Sequence, residues 1–258
     1  MMEYPEYSKG YTIHVYETGP DGRLALSSLF DYFQDIASDH AVSLGFGRDD
    51  LMKDNHIWVL SRIYAEIERW PVWGDKIFIK TWPRGTDKLF ALRDFEARFS
   101  DGKIAARATS SWLIIDYTTK RVKRPDEELS RHKYSFDGRR ALPRNAEKLD
   151  PMGQVYSSGH PFTVKISDID INLHTNNTRY LKWVSDGYDL DFILNNFPVS
   201  AEINYLAESR LNENILINTT ERESEDCIVD HLIIRPDDKK ELCRIRITWR
   251  INHSGEKH

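Results

Sequence analysis

Residues 168–183 read "DIDINLHTNNTRYLKW". An Asp, an Asn and a His stand at alternate positions, Asp170, Asn172 and His174, and two more Asn follow at Asn176 and Asn177. Three uses compete for so many polar groups directly before a helical pattern: a helix cap, a metal loop or an active site. Asn is among the best N-cap residues, so Asn176 or Asn177 is expected to open the helix. A cap does not need Asp170, Asn172 and His174 as well. An EF-hand loop starting at Asp168 would need Gly at its sixth position and Glu at its twelfth, where this chain has Leu173 and Arg179. A zinc site would need more than one His or Cys close by, and His174 is alone. No metal and no cofactor is therefore expected. If "DINLH" is extended, a carboxylate, an amide and an imidazole face one spot. Beside a helix N-terminus, whose free N–H groups can bind a developing oxyanion, such a set suits carbonyl chemistry.

The elements that must hold this stretch come in a clear order. "LSSLFDYFQDIASDHAVSLGFG" places Leu26, Leu29, Phe30, Phe33, Ala37 and Ala41 on one helical stripe, with Gly45 as its stop. Four strand-like runs follow: "IWVLSRIYAEIERW", "DKIFIKTWP", "KLFALRDFEARFS" and "KIAARATSSWLIIDY", the last two joined by the hairpin signal "SDGK". The second half repeats the order. "TRYLKWVSDGYDLDFILNN" sets Tyr180, Leu181, Val184, Tyr188 and Phe192 along one helical face. Then come "SAEINYLAESR", "NILINTTERES", "CIVDHLIIRP" and "ELCRIRITWRIN" as strands.

Small matches support a duplication. "YAEIER…DKIFIKT" resembles "SAEINY…NILINT", and Arg107 and Trp112 correspond to Arg244 and Trp249. The lead-in to the first helix is "DGRLALSSLFDYF", which aligns Asp21 with Asp170, Arg23 with Asn172 and Ala25 with His174. One copy then keeps the polar set and the other has lost it, so one looks chemical and the other looks like a wall. The fold class expected is α+β: a tandem (double) hotdog, each half a long helix wrapped by an antiparallel sheet. The N-terminal hotdog spans residues 1–135 and the C-terminal one residues 136–258.

Composition narrows the partners. The 258 residues carry a net charge of −5, which argues against a dedicated nucleic-acid binder. The start has no apolar run resembling a signal peptide, and no stretch approaches the roughly 18 apolar residues of a spanning helix. Cys227 and Cys243 fit neither a zinc spacing nor a disulfide framework. A cytoplasmic protein without a membrane span is expected. No G-x-S-x-G, H-E-x-x-H or Walker pattern occurs. "GFGRDD" lacks the third Gly of a dinucleotide loop and follows a helix instead of a strand. The connector between the halves, roughly residues 117–150, is locally basic, with Lys120, Arg121, Lys123, Arg124, Arg139, Arg140, Arg144 and Lys148 among its cations. It is either an ordinary solvated linker or a docking surface for an acidic partner.

At this point the residues resemble a known family. "DINLHTNN" has the D-x-N-x-H-x-N-N form of the acyl-acyl carrier protein thioesterases, the bacterial relatives of the plant fatty-acid chain-terminating enzymes. "IWVLSR", "ERWPVWGD", "KTWP" and "SSWLIIDYTTKRVKRP" are landmarks of the same family, so the likeness runs from about residue 10 to 250. A second site segment of the family, E-Y-x-x-E-C, here reads "INYLAES": Tyr205 is kept, Glu208 matches the second Glu, and Ser209 replaces the Cys.

The resemblance implies a hydrolase that cleaves acyl-carrier-protein thioesters to free fatty acid and holo-carrier protein, with the acyl chain tethered through 4'-phosphopantetheine. It implies a direct attack by water, with Glu208 as base and His174 polarising the water or protonating the leaving thiolate. Asn172 would orient the carbonyl or the water, and Asp170 would hold its neighbours. The backbone at Asn176 and Asn177 would supply the oxyanion hole. The first half would supply the acyl slot between its helix and sheet, with Trp58, Val59, Trp82 and Trp112 as neighbours. A Ser209 nucleophile with His174 as its base is the competing mechanism. An acyl-CoA hydrolase and a non-catalytic acyl-thioester-binding hotdog module are the competing functions. A homodimer is compatible with each of these.

Overall fold

The computed structural model describes residues 5–129, 138–152, 159–222 and 224–251. The first half runs β1 (Tyr7–Thr12), α1 (Leu26–Ser43), α2 (Arg48–Met52), β2 (His56–Ile67), β3 (Lys76–Asp87), β4 (Phe90–Phe99), β5 (Ile104–Asp116), β6 (Val122–Lys123) and α3 (Pro125–Leu129). The second half runs β7 (His160–Thr163), α4 (Asn177–Ser185), α5 (Leu190–Asn195), β8 (Asn196–Tyr205), β9 (Asn214–Glu221), β10 (Cys227–Arg235) and β11 (Lys240–Ile251). The boundary expected between residues 135 and 136 lies outside the described residues, as do Arg131 and Lys133, two further cations of the basic connector.

All the strands join one antiparallel sheet in the order β1-β3-β4-β5-β2-β8-β11-β10-β9-β7, with β6 paired to β5. The halves meet where β2 pairs β8, from Arg62 opposite Asn204 to Glu66 opposite Ser200. Alternation sorts each strand between two faces. Ile77 and Ile79 of β3, Phe95 and Ala97 of β4, and Ile245 and Ile247 of β11 enter one continuous core with the apolar stripes of α1 and α4. The two helices pack on each other under the curled sheet, and Thr178 Oγ1 of α4 donates to Asp31 Oδ1 of α1 at 2.6 Å. This is the double hotdog.

The stripe of α1 is buried from Leu26 to His40, and the chain turns out of it at Gly45, whose φ of 74° suits a residue without Cβ. The second helix is not continuous, contrary to its apolar period. It breaks after Ser185, and α5 begins only at Leu190. Gly187 and the turn from Ser185 O to Tyr188 N carry the break. Tyr188 and Phe192 therefore do not extend the stripe of α4; their rings stack on each other and pack edge-on against Trp249.

Among the described residues of the connector, 138–150 are not a bare solvated linker, although Lys120, Arg121, Arg124, Arg140 and Lys148 are exposed. Residues 138–150 form a strap across the outer face of the sheet, opposite the helices. Leu142, Ala146 and Leu149 are buried beneath it. Ala141 N donates to Asp94 Oδ2 at 2.8 Å and Leu149 N to Asn204 Oδ1 at 2.8 Å. Arg144 makes two 3.0 Å bonds to buried Glu202 while its guanidinium covers the Tyr64 ring at 3.5 Å. Tyr64 and Glu202 face each other across the seam between the halves, so Arg144 clamps that seam. Arg139 lies over the Trp82 ring and pairs with Glu6. These cations are held by the protein's own groups.

Candidate active site

The lead-in to α4 is a tight turn. Asp170 N donates to His174 O at 2.9 Å and Leu173 N to Asp170 O at 3.0 Å, with Leu173 at a φ of 62°. Asp170, Asn172 and His174 thus do not share a face by strand alternation, as an extended segment would require. The short side chain of Asp170 competes with ladder formation: its Oδ1 accepts from Asn172 N at 2.8 Å, a local bond that favours turns. The chain then pairs once, Ile169 against Thr175, and enters α4.

Asn176 is the N-cap, its side-chain oxygen accepting from Thr178 N at 3.0 Å. Asn176 N itself donates to Asp168 O, and Arg179 N to Asn176 O. Of the first backbone donors of the helix, the N–H of Asn177 has no protein partner among the described residues. Tyr205 donates its hydroxyl to Asn177 O at 3.1 Å, and burial holds its phenol well above the ordinary tyrosine range. Burial likewise raises Asp31 above the usual carboxylate value, partly opposed by Thr178 and Arg179.

Glu208 and Ser209 lie past the end of β8, in a loop and not on a strand. Their side chains still part. His174 Nε2 stands 3.1 Å from Glu208 Oε2, with side chains 18% and 43% exposed, so the pair can meet both water and a tethered ligand. Ser209 is fully buried. Its hydroxyl donates to Thr175 Oγ1 at 2.7 Å and bonds the Tyr180 hydroxyl at 2.9 Å. It thus ties the loop to α4 and makes no hydrogen bond to His174.

A narrow apolar crevice, with free room for only about one water molecule, is lined in part by Phe30, Phe33, Phe95 and Trp112 of the first half. Asn177, Thr178 and Tyr205 also line it, and Asn177 stands three residues along the chain from His174. Trp58, Val59 and Trp82 are not among its lining residues; the Trp58 indole donates to Phe46 O, and Trp82 lies under the strap. Among the described residues, no group of three or more His, Cys, Asp or Glu could hold a metal ion.

One residue escaped the sequence reading. Arg48, at the start of α2, donates from Nε to Asn172 Oδ1 at 2.9 Å across the two halves. No local pattern in "GFGRDD" marks a contact between residues so far apart in the chain.

The structure also corrects the register of the repeat. The backbone bonds Gly19 N to Arg23 O and Gly22 N to Gly19 O are the counterparts of Asp170 N to His174 O and Leu173 N to Asp170 O. The bridge Thr18–Leu24 mirrors Ile169–Thr175, and the N-caps Ala25 and Asn176 coincide. So Arg23, not Ala25, occupies the place of His174, Asp21 that of Asn172, and Gly19 that of Asp170. Leu24 N donates to Pro71 O as Thr175 N does to Ser209 O, which puts Trp70 in the place of Glu208. The sequence alignment slipped by two because it matched one Asp to another.

Comparison with known proteins agrees with this geometry. Residues 5–132 match the acyl-ACP thioesterase N-terminal domain and residues 154–251 the acyl-ACP thioesterase C-terminal domain. The palmitoyl-acyl carrier protein thioesterase of Gossypium hirsutum is 29% identical over 96% of this chain and 64% of its own length. A FATB3 acyl-carrier-protein hydrolase of Cuphea viscosissima is 27% identical, over 96% of this chain and 63% of its own. The chain thus spans just under two thirds of these curated relatives. The crystal structure of an acyl-ACP thioesterase from Bacteroides thetaiotaomicron superimposes with a TM-score of 0.81 at 25% identity, over 95% of this chain and 98% of that one. The 12:0-ACP thioesterase of Umbellularia californica shares the fold, with a TM-score of 0.82 at 24% identity over 95% and 94% of the two chains.

Proposed function

Because the chain belongs to the acyl-ACP thioesterase family, we propose that it hydrolyses acyl-acyl carrier protein to free fatty acid and holo-carrier protein. The observation that carries this is the His174–Glu208 pair, 3.1 Å apart, beside the N-terminus of α4 where the apolar cleft opens. The acyl chain lies in the first-half cleft and its thioester at the mouth.

Glu208 takes a proton from water as the water oxygen attacks the carbonyl carbon. His174 donates a hydrogen bond to that water and gives its proton to the sulfur as the C–S bond breaks, and the proton held by Glu208 passes back to His174 across the 3.1 Å contact. The Asn177 N–H and the Asn172 amide face the developing oxyanion. Asn176 serves as the cap that orients the turn, and Asp170 fixes Asn172 through its backbone. No step needs a metal or cofactor. The buried place of Ser209 and its bonds to Thr175 and Tyr180 favour this direct route over a serine nucleophile.

The partner is the carrier protein with its 4'-phosphopantetheine arm. The setting proposed is the cytoplasm, where the two free cysteines, Cys227 and buried Cys243, would stay reduced. No helix among the described residues is long and apolar enough to cross a membrane. The test is a panel of acyl-carrier-protein and acyl-CoA substrates, scored for free fatty acid and free thiol. Carrier-linked acyl groups should be cleaved faster. Faster cleavage of acyl-CoA would replace the substrate class, and no cleavage of either would leave a binding module.

A further inference from the structure

We propose that Arg48, supplied by the first half, is a positioning residue that sets the polarity of the Asn172 amide; this rests on the thioesterase reading above. A side-chain amide presents an acceptor at one end and donors at the other, and the two orientations have nearly the same shape. Arginine can only donate. Its Nε stands 2.9 Å from Asn172 Oδ1, so the amide oxygen is turned toward the first half and the NH₂ away from it. In that orientation Asn172 offers a donor to a forming oxyanion. Flipped, it would offer a carbonyl oxygen, and two negative ends would face each other in the transition state.

Asn172 has little else to fix its amide. Its backbone N–H is taken by Asp170 Oδ1 at 2.8 Å, but its Nδ2 lies 3.5 Å from Asp170 Oδ2, at the limit of a hydrogen bond. The platform beneath Arg48, by contrast, is closely defined. Phe46 O accepts from the Trp58 indole at 2.9 Å, and Phe46 N donates to Ala41 O at 2.8 Å. A Cβ on Gly47 would come within 2.7 Å of Val42 Cγ2 and 3.2 Å of Val42 Cα, so the chain passes close against Val42 here. Asp50 Oδ2 accepts from Gly47 N at 3.2 Å and anchors the start of α2. The Arg48 side chain is 52% exposed, and its other bond, NH1 to Asp49 at 3.3 Å, is to a side chain 93% exposed. Its removal therefore leaves no buried group unpaired, and its effect should fall on turnover and not on folding.

The test compares Arg48→Met, which keeps the stem and loses the donors, with Arg48→Lys, which keeps a donor-only head. Arg48→Met should lower kcat roughly tenfold or more, the size expected for a lost charge-assisted hydrogen bond. KM should stay within about twofold and the thermal midpoint should not move, because a group acting only in the transition state changes kcat alone. Arg48→Lys should restore a large part of the loss. In an Asn172→Ala background, followed by single-turnover assay at high enzyme concentration, Arg48→Met should cost nothing further. A rise in KM at constant kcat would overturn the inference and assign Arg48 to carrier binding. Equal losses in both backgrounds would overturn it too. Wild-type protein that cleaves no thioester would remove the reading beneath it, whereas active wild type with unchanged Arg48→Met would sink this inference alone.

Discussion

The lead-in to α1 and the lead-in to α4 share a backbone and differ in nearly every side chain that could react. Both make the same turn, the same bridge and the same approach to a helix N-cap. In the second half the turn presents His174 to Glu208. In the first, Arg23 is locked to Asp21 at 3.0 Å and its guanidinium lies over the Phe197 ring, while Trp70 donates its indole N–H to Pro198 O. The interiors differ in the opposite sense. The first half keeps a narrow apolar crevice beside Trp112. In the second half the corresponding Trp249 is packed by Tyr188 and Phe192, and Tyr188 bonds His231 at 2.8 Å. Reactive groups stand in one copy and a narrow apolar crevice in the other. A turn and a helix end can be inherited as scaffold while the side chains on them are reassigned.

The comparison breaks most directly at its reactive end. His174→Ala should reduce turnover by about 10⁴-fold, the upper range for general acid–base loss, with the circular dichroism spectrum and thermal midpoint retained. Arg23→Ala, at the equivalent place, should leave turnover unchanged; a comparable loss there would mean the first half also takes part in chemistry. Glu208→Gln keeps the shape and removes the base, so kcat should fall by about 10²–10³-fold. A variant that remains fully active would return the proton to His174 alone.

A sharper test moves the pair. Arg23→His with Trp70→Glu, built on His174→Ala, should restore no activity, because the second-half interior is filled by Tyr188, Phe192 and Trp249. Recovered hydrolysis would show that the filled half still admits a chain.

Ser209→Ala should change kcat by less than about threefold. It should destabilise the protein by about 1–3 kcal/mol in urea unfolding, since Tyr180 and Thr175 lose a buried partner. A burst of acyl-enzyme in wild type that vanishes in this variant would install serine as the nucleophile.

A last test concerns acid. Burial pushes the His231 imidazole from 6.5 down to about 4, between the hydroxyls of Tyr188 and Thr219 and beside Asp230. Between those values the unfolded chain binds the proton and the folded one does not, so stability falls as pH drops through this window. His40 in the first half, pushed from 6.5 to about 3 by burial and by Arg93, adds a loss of the same sign. The thermal midpoint should therefore decline from pH 7 to pH 4, and less steeply in His231→Gln.

Element order and helix starts were legible in the sequence because a buried stripe and a capping Asn are local signals. The His–Glu partnership was reached through motif likeness, since 34 positions separate His174 from Glu208 and no periodicity links them. The shape of "DINLH" was misread because alternate polar residues fit a strand as well as a turn held by an Asx bond. The long second helix was misread for a related reason: its apolar period continues past Gly187, but the residues after the break turn their rings onto Trp249. The strap could not be seen at all. Its burial of Leu142, Ala146 and Leu149 rests on single residues that have no period.

That strap also bears on heredity. In a symmetric pair of identical chains, every substitution is made twice, once at each equivalent position. A useful change at one site is then accompanied by its copy at the other, where it can do harm. Arg144 closes the seam between two copies carried on one chain, so here each substitution is made once. Arg23 could replace a histidine without touching His174, and Tyr188 and Phe192 could occupy one interior without blocking the other. Asymmetry of this kind is open to a tandem chain and closed to its symmetric equivalent.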